Sequence, residues 1–592
     1  MGGVAKAAIV PGVPRQRYSP SQRVRAVFVG RGLLITEAAI AAAIVAVVVT
    51  VNLIYQLQHG AHDPLQALAA TITFLVLQAP AISDGDRSGL VLLLFNVLFS
   101  LLFAQSLLNS ARVLFRPQAP QARQRGMAAV LRDHIIVCGL GRVGQRIVAR
   151  LVAAGLPVAV IEHAWERPLV SRALEQRVPV IVGDAREPAA LQAAGLRHAR
   201  ALIACVNDDL LDVEIALAAR NQRPDVRVIL RAFNEEFDHG LERSFGPDTA
   251  FSTSALAAPT FAAAAITRGV EHVVPLGDFL LGATQVILPP GSTPFASVRA
   301  FEDAHAVRVL LVERLAQRAP DAAPEALRGG DRLTLLGSLD ALASLWTAGI
   351  RDAGTAATEP SLQPTAQRDT IIICGLGKIG YRVVRQLHGL QSRARLVVIF
   401  AEDDKVSFSR QISALEGVTL VRGDARDAET LARAGLDRAL AVAAVTSDDL
   451  TNLQIGLEAR RHRPDVHIVL RVFSSNLAEK LADLFGIHTA YSTSDLASST
   501  LAAAAVLGGV EHAFSVDGLL YALASLTVLA GSALRGVTVE AVRKDYGALV
   551  VAFGSGSDLR ILPPLDAPIA PGETLRLVAP LQALADLRDA FG

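Results

Sequence analysis

The chain has 592 residues, of which 51% are hydrophobic and 19% charged, with a formal net charge of +1 and a mean hydropathy of +0.38. It is too long for one domain and too apolar for an ordinary soluble protein, and its near-neutral balance points to no nucleic-acid partner. Its three cysteines, Cys138, Cys205 and Cys374, form neither a metal-type pair nor an even disulfide set. They are expected as buried small hydrophobes in a reducing compartment.

Residues 1–31 form an N-terminal segment without a signal-peptide pattern. Residues 32–55, "GLLITEAAIAAAIVAVVVTVNLIY", and 89–113, "GLVLLLFNVLFSLLFAQSLLNSARV", are each long and apolar enough to span a bilayer, which takes about 20 residues. Arg15, Arg17, Arg23, Arg25 and Arg31 precede the first, and Arg112, Arg116, Arg123 and Arg125 close or follow the second. The stretch between holds a single arginine, Arg87. Positive residues favour the cytoplasmic side, so both termini are expected in the cytoplasm and the chain in the cell membrane as a multi-pass protein. Residues 63–80, "DPLQALAATITFLVLQAP", are too short to cross alone. With Asp63 as N-cap and Pro64 in the first turn, they suit a re-entrant helix. Span, re-entrant helix, span (32–113) is the plan of a tetrameric cation pore; a two-helix anchor with an interfacial loop is the alternative. Asn96, Gln105, Ser106 and Asn109 on the second span suit a wet path and helix packing equally.

After a linker at 114–131 the chain repeats itself. "DHIIVCGLGRVG" at 133 returns as "DTIIICGLGKIG" at 369. "GDAR" stands at 183 and 423, "DDL" at 208 and 448, "STS" at 252 and 492, "GVEH" at 269 and 509. A shared order of five motifs is an internal duplication. Each half closes with a smaller strand-rich stretch, marked by "GGDRLTLLG" at 329 and "PGETLRLVA" at 571. The expected domains are therefore 132–270 and 271–350, a polar linker at 351–368, then 369–510 and 511–592.

In each half an apolar strand runs into GxGxxG and then a helical pattern, the context that gives this motif meaning. Gly139 and Gly375 suit the tight turn, Gly141 and Gly377 let backbone approach a phosphate, and Gly144 and Gly380 let helix pack on strand. The helix N-terminus then offers its unpaired N–H groups to the phosphates. The next strand of the first half, "VAVIE", ends in Glu162, a carboxylate placed to accept from an unphosphorylated ribose. Its counterpart "LVVIF" ends in Phe400, and Glu402 and Asp403 come late, so the first half is the better nucleotide site. A domain that keeps the turn and binds nothing is the alternative for each half. No catalytic domain follows, and no His or Tyr-Lys constellation stands out, so an enzyme is not expected. Glu235, Glu236 and Asp238, absent from the second half, suit either Ca2+ or a solvated acidic helix start.

The segments "IIVCGLGRVG", "VGDAREPAALQAAGLRHARALIACVNDDL" and "VILRAF", and again "IIICGLGKIG", "VRGDARDAETLARAGLDRALAVAAVTSDDL" and "IVLRVF", resemble the N-terminal lobe of domains that regulate K+ conductance, the RCK domains. These also occur in Trk-type potassium-uptake subunits. The resemblance covers about three-quarters of the chain. It implies two tandem α/β Rossmann-like domains, each with a smaller α+β lobe, behind an α-helical two-span pore. It further implies a homotetramer in the lipid bilayer, with a gating ring that moves when an adenine nucleotide, NAD(H) or ATP, ADP or AMP, binds. By position, phosphate contacts fall at Gly139, Leu140, Gly141, Arg142, Val143 and Gly144, ribose contact at Glu162, and adenine-side contacts at Asp184 and Ala185. The second-half equivalents are Gly375, Gly377, Lys378, Ile379, Gly380, Asp424 and Ala425.

The family's ion filter reads Thr-Val-Gly-Tyr-Gly-Asp, a run of carbonyls that replaces the hydration shell of K+. Here "LQAPAISDGD" stands in its place. Spacing puts Leu77, Gln78, Ala79, Pro80, Ala81 and Ile82 in the filter, which loses both glycines and fixes one φ. Residue identity puts 81–86 there instead. Asp84 and Asp86 would in either case suit carboxylate rings for monovalent or other cations at the outer mouth. The expectation is a nucleotide-regulated cation channel with a non-standard filter. The alternative is a non-conducting, membrane-anchored nucleotide sensor serving a potassium transport system.

Overall fold

The computed structural model describes residues 119–591 apart from 166–167, 233–243, 278, 290–294, 315–325, 349, 353–367, 391–393, 402–405, 474 and 556–557, with isolated positions 16, 19, 22, 50, 54 and 105 before them. Apart from Thr50, Ile54 and Gln105, the expected spans lie outside the described residues. So do the re-entrant segment, the filter positions and Glu235, Glu236 and Asp238. Among the described residues no helix is long and apolar enough to cross a membrane.

Each half begins with a six-stranded parallel sheet. In the first, β1 (His134–Cys138), β2 (Val158–Glu162), β3 (Val180–Val182), β4 (Ala199–Ala204), β5 (Arg227–Ala232) and β6 (Ala250–Ser252) lie in the order β3-β2-β1-β4-β5-β6. Strand β1, "HIIVC", is buried at all five positions, as a strand covered on both faces by helices must be. A smaller antiparallel lobe follows, with β7 (His272–Leu276), β8 (Phe279–Ile287), β9 (Val307–Glu313), β10 (Arg332–Ser338) and β11 (Arg351–Asp352). The second half repeats the plan. Strands β12 (Thr370–Cys374), β13 (Arg395–Phe400), β14 (Val418–Arg422), β15 (Ala439–Ala444), β16 (His467–Val472) and β17 (Ala490–Ser492) run β14-β13-β12-β15-β16-β17. Its small lobe holds β18 (Val510–Val516), β19 (Leu519–Thr527), β20 (Leu549–Ser555), β21 (Asp558–Ile561) and β22 (Thr574–Pro580). The chain thus folds as the duplicated Rossmann-like α/β domain expected from its repeats. The cysteines are buried and free, two at strand ends and Cys205 just after β4.

The halves exchange helices. Helix Thr253–Ile266 leaves the first sheet and packs into the second half's core, with Ala257, Phe261 and Ala265 against Ile371, Val383 and Leu387. Helix Thr493–Val506 returns the contact, with Leu501 and Ala505 against Ile147 and Leu151. Both helices are alanine-rich, which lets backbones approach closely. Arg227 Nε donates to Ala504 O at 2.7 Å, and His467 Nε2 meets Ala264 O at 2.9 Å; the two contacts are equivalent under the repeat. The small lobes also pair, with helix Val298–His305 facing Val539–Tyr546. There Glu302, 0% exposed, is bridged by Arg543 at 2.8 Å, and Arg299 meets Glu540 at 3.0 Å. Sequence periodicity places these helices but carries no sign that each covers the other half, because an apolar face does not name its partner.

Candidate functional site

The three glycines of each loop behave as their spacing requires. Gly139 has φ +97° and Gly375 φ +102°, the left-handed region open to glycine. A Cβ on Gly144 would stand 1.9 Å from Gly139 O, and one on Gly380 would stand 1.9 Å from Gly375 O. Gly141 and Gly377 have nothing within 4 Å of that position, so the backbone there is open to an incoming group.

Above the first loop is a cavity of about 830 Å³ at the sheet's topological switch point, between β1 and β4, where ligands bind in such sheets. Of the expected residues, Gly139, Gly141, Arg142, Val143, Glu162, Asp184 and Ala185 line it. Leu140 is buried, and Gly144 packs beneath the loop. Glu162 is 3% exposed. One of its oxygens accepts from Leu140 N–H at 2.6 Å, the other from His163 N–H at 2.9 Å. The carboxylate is thereby tied to the glycine loop. Asp184 accepts from the Arg186 guanidinium at 2.7 Å, which holds its carboxyl below the usual range. Above the second loop lies a cavity of about 750 Å³, lined by Gly375, Gly377, Lys378, Ile379, Asp424 and Ala425. Asp424 is held low by Arg426 in the same way.

The cavities share part of their walls. Thr253, Arg471 and Thr493 line both. Phe473 and Ser494 of the second half line the first cavity, and Ser254 of the first half lines the second. The first glycine-loop helix is bound to the other half here. Arg142 stacks over the Phe473 ring at 4.1 Å, with Arg471 over the same ring at 4.8 Å. Arg146 donates to Phe473 O at 2.8 Å. Arg146 and Arg150 each pair with Asp495 at 3.1 Å. Arg382, the counterpart of Arg146, reaches Ser252 and Ser254. Residues of both halves therefore line each cavity. The repeats "STS" and "LRAF/LRVF" marked these positions in the sequence only as evidence of duplication.

Asp212 carries no mark in the sequence that singles it out. It is 1% exposed, lies on helix Asp209–Gln222, and accepts from Val206 N–H at 2.8 Å beside the first cavity. Burial pushes its carboxyl up to about 8, against the opposing pull of that N–H and of Arg231. Its second oxygen is buried without a hydrogen-bond partner. In the second half Asn452 holds the same place. It accepts from Thr446 N–H at 2.9 Å, and its amide NH2 donates to Thr446 O at 3.2 Å and Arg471 O at 2.9 Å. Among the described residues no cluster of three or more His, Cys, Asp or Glu could hold a metal ion.

The chain is thus a duplicated Rossmann-type domain with a glycine-loop cavity in each copy. The TrkA-N domain model matches residues 135–253 and 371–493, and the TrkA-C domain model matches 523–592, together more than half of the chain. The chain belongs to the tandem RCK family, built of TrkA-N and TrkA-C domains. It is 32% identical over 104 residues, 17% of its length, to potassium channel protein 1 of Methanocaldococcus jannaschii. That match spans 31% of the channel, under a third of its length. It is 26% identical over 214 residues, 35% of its length, to the Trk system potassium uptake protein TrkA of Mycobacterium tuberculosis, and spans 94% of that protein. The structure of the GsuK channel bound to NAD aligns with a TM-score of 0.51 and 18% identity, over 96% of this chain and 99% of that one, a likeness of fold.

Proposed function

We propose that the chain is the subunit of a nucleotide-regulated, tetrameric cation channel of the potassium type, with the two halves acting as its gating module and no catalytic turnover. The observation that carries this reading is the shared wall of the cavities. Arg471, Thr253 and Thr493 belong to both, so an adenine nucleotide on the Gly139–Gly144 loop binds one arrangement of the halves better than another. A ligand gates to the extent of that difference. The linker 114–131 would carry the movement to the second span, and Glu162 favours a free ribose, as in NAD(H). A potassium channel among its relatives and a channel of like fold bound to NAD agree with this.

A second reading, a non-conducting anchored sensor that regulates a potassium transporter, is favoured by one observation. Residues 77–86, "LQAPAISDGD", do not spell a carbonyl filter. Flux of K+, Na+ and Ca2+ into liposomes holding the purified protein, with and without NAD(H), ATP, ADP and AMP, separates the two. Nucleotide-dependent cation flux supports the channel. Nucleotide binding without flux under any ligand supports the sensor.

A further inference from the structure

The two cavities share a scaffold and differ at the position that reads a nucleotide's ribose. In the first half β2 ends in Glu162, paired in register with Val182 of β3. In the second half β13 ends in Phe400, paired in register with Arg422 of β14. The backbone around the two is the same. Gly183 N–H donates to Glu162 O at 3.1 Å, and Gly423 N–H donates to Phe400 O at 3.1 Å. A carboxylate has thus been replaced by an apolar ring, and a guanidinium has appeared on the adjoining strand end. Arg422 and Ala401 both line the second cavity. Arg422 is exposed there, and Lys378 stands on the glycine loop of the same cavity.

A carboxylate at the end of the second strand accepts from a ribose hydroxyl and repels a phosphate. An arginine nearby accommodates a phosphate on that hydroxyl, by charge-assisted, bidentate hydrogen bonds. We propose that the second cavity is a site for an adenine nucleotide phosphorylated on its adenosine ribose, as in NADP(H), with Arg422 as the residue that reads that phosphate. The first cavity, with Glu162, takes the unphosphorylated ribose. One chain would then sense two nucleotide pools through a common wall, Arg471, Thr253 and Thr493. The proposal rests on the nucleotide-site reading above and adds the ligand class of the second site.

The test is equilibrium binding of NADPH and NADH to the full-length purified protein, followed by nucleotide fluorescence. Variants are Arg422→Glu, Arg422→Lys and Arg422→Gln, each checked for an unchanged melting temperature. The expected result is one NADPH site per chain that NADH fills at least about tenfold more weakly. Arg422→Glu lowers NADPH affinity by more than tenfold and Arg422→Gln by less, while Arg422→Lys loses least, because it keeps the charge but not the bidentate fork. NADH binding without NADPH binding overturns the assignment and leaves the proposed function standing. So does NADPH affinity that is indifferent to Arg422→Glu in a folded variant. Binding of neither nucleotide overturns the assignment, and overturns the proposed function as well if ATP, ADP and AMP also fail to bind.

Discussion

The two halves agree in their backbones and differ in their charges. Gly139 N–H donates to Ile161 O at 2.9 Å and Gly375 N–H to Ile399 O at 2.9 Å; the loops, sheets and exchanged helices repeat in the same way. Some side chains facing a cavity repeat as well, such as Asp184 and Asp424 with their arginines, but others do not. Glu162 stands against Phe400, Val182 against Arg422, and Asp212 against Asn452. Asp495, which holds Arg146 and Arg150, stands against Ala255. In the small lobes the facing helices carry opposite charges at matching positions, with Arg299 against Glu540 and Glu302 against Arg543. A position that faces its own counterpart would be like-charged in a pair of identical halves. Opposite charges make the first half fit the second better than a copy of itself. The backbone that makes a cavity was kept after the duplication, while the side chains that choose a ligand or a partner diverged.

The largest effect on this comparison is expected at the small lobes. Arg543→Glu sets a second carboxylate against Glu302, which is 0% exposed, and should destabilise the protein by about 3 kcal/mol or more. Adding Glu302→Arg reverses the pair and should restore part of the loss in thermal unfolding, the rest remaining because Val309 N–H loses Glu302 as its acceptor. A double variant as unstable as the single would break the charge account.

Gly144→Val puts a side chain where Gly139 O lies at 1.9 Å, so NADH affinity at the first cavity should fall at least about 100-fold. Gly380→Val should leave that binding in place, as titration of each variant would show. Equal losses from both would mean that the halves bind as one site.

Asp212→Asn copies the second half into the first. A carboxyl near 3.9 in the unfolded chain and about 8 in the fold gives stability that is fully present below about pH 4 and lost as pH rises towards 8. The Asn variant lacks this loss. It should match wild type near pH 4 and exceed it by roughly 1 kcal/mol or more at pH 8, measured by unfolding across that range. A gap that does not widen with pH would show that Asp212 titrates normally.

The smallest effect is expected for Asp495→Asn. Its carboxylate is 34% exposed, so the loss of both ion pairs should cost about 0.5 to 1 kcal/mol.

Much of this was legible in the sequence. The duplication, the strand-loop-helix units and the roles of the three glycines follow from spacing, because a φ near +100° at Gly139 and a helix packed on Gly144 admit few other residues. Glu162 was legible because it ends an apolar strand. What the sequence could not carry is tertiary placement. Nothing in the alanine-rich runs at 253–266 and 493–506 says that each covers the other half's sheet. Nor does the sequence say that Arg471 and Phe473 of the second half line the first cavity. Asp212 was missed because an acid in the first turn of a helix reads as an ordinary dipole partner until its burial is known.

The most direct test of the central claim is cation flux from liposomes, titrated against NAD(H), for wild type and Gly144→Val side by side. The account predicts flux in the wild type that depends on nucleotide, with a midpoint matching its binding, and flux in Gly144→Val that no longer responds. Cation flux that ignores nucleotide in both proteins, although the wild type binds it, would contradict the claim that the first cavity gates the pore.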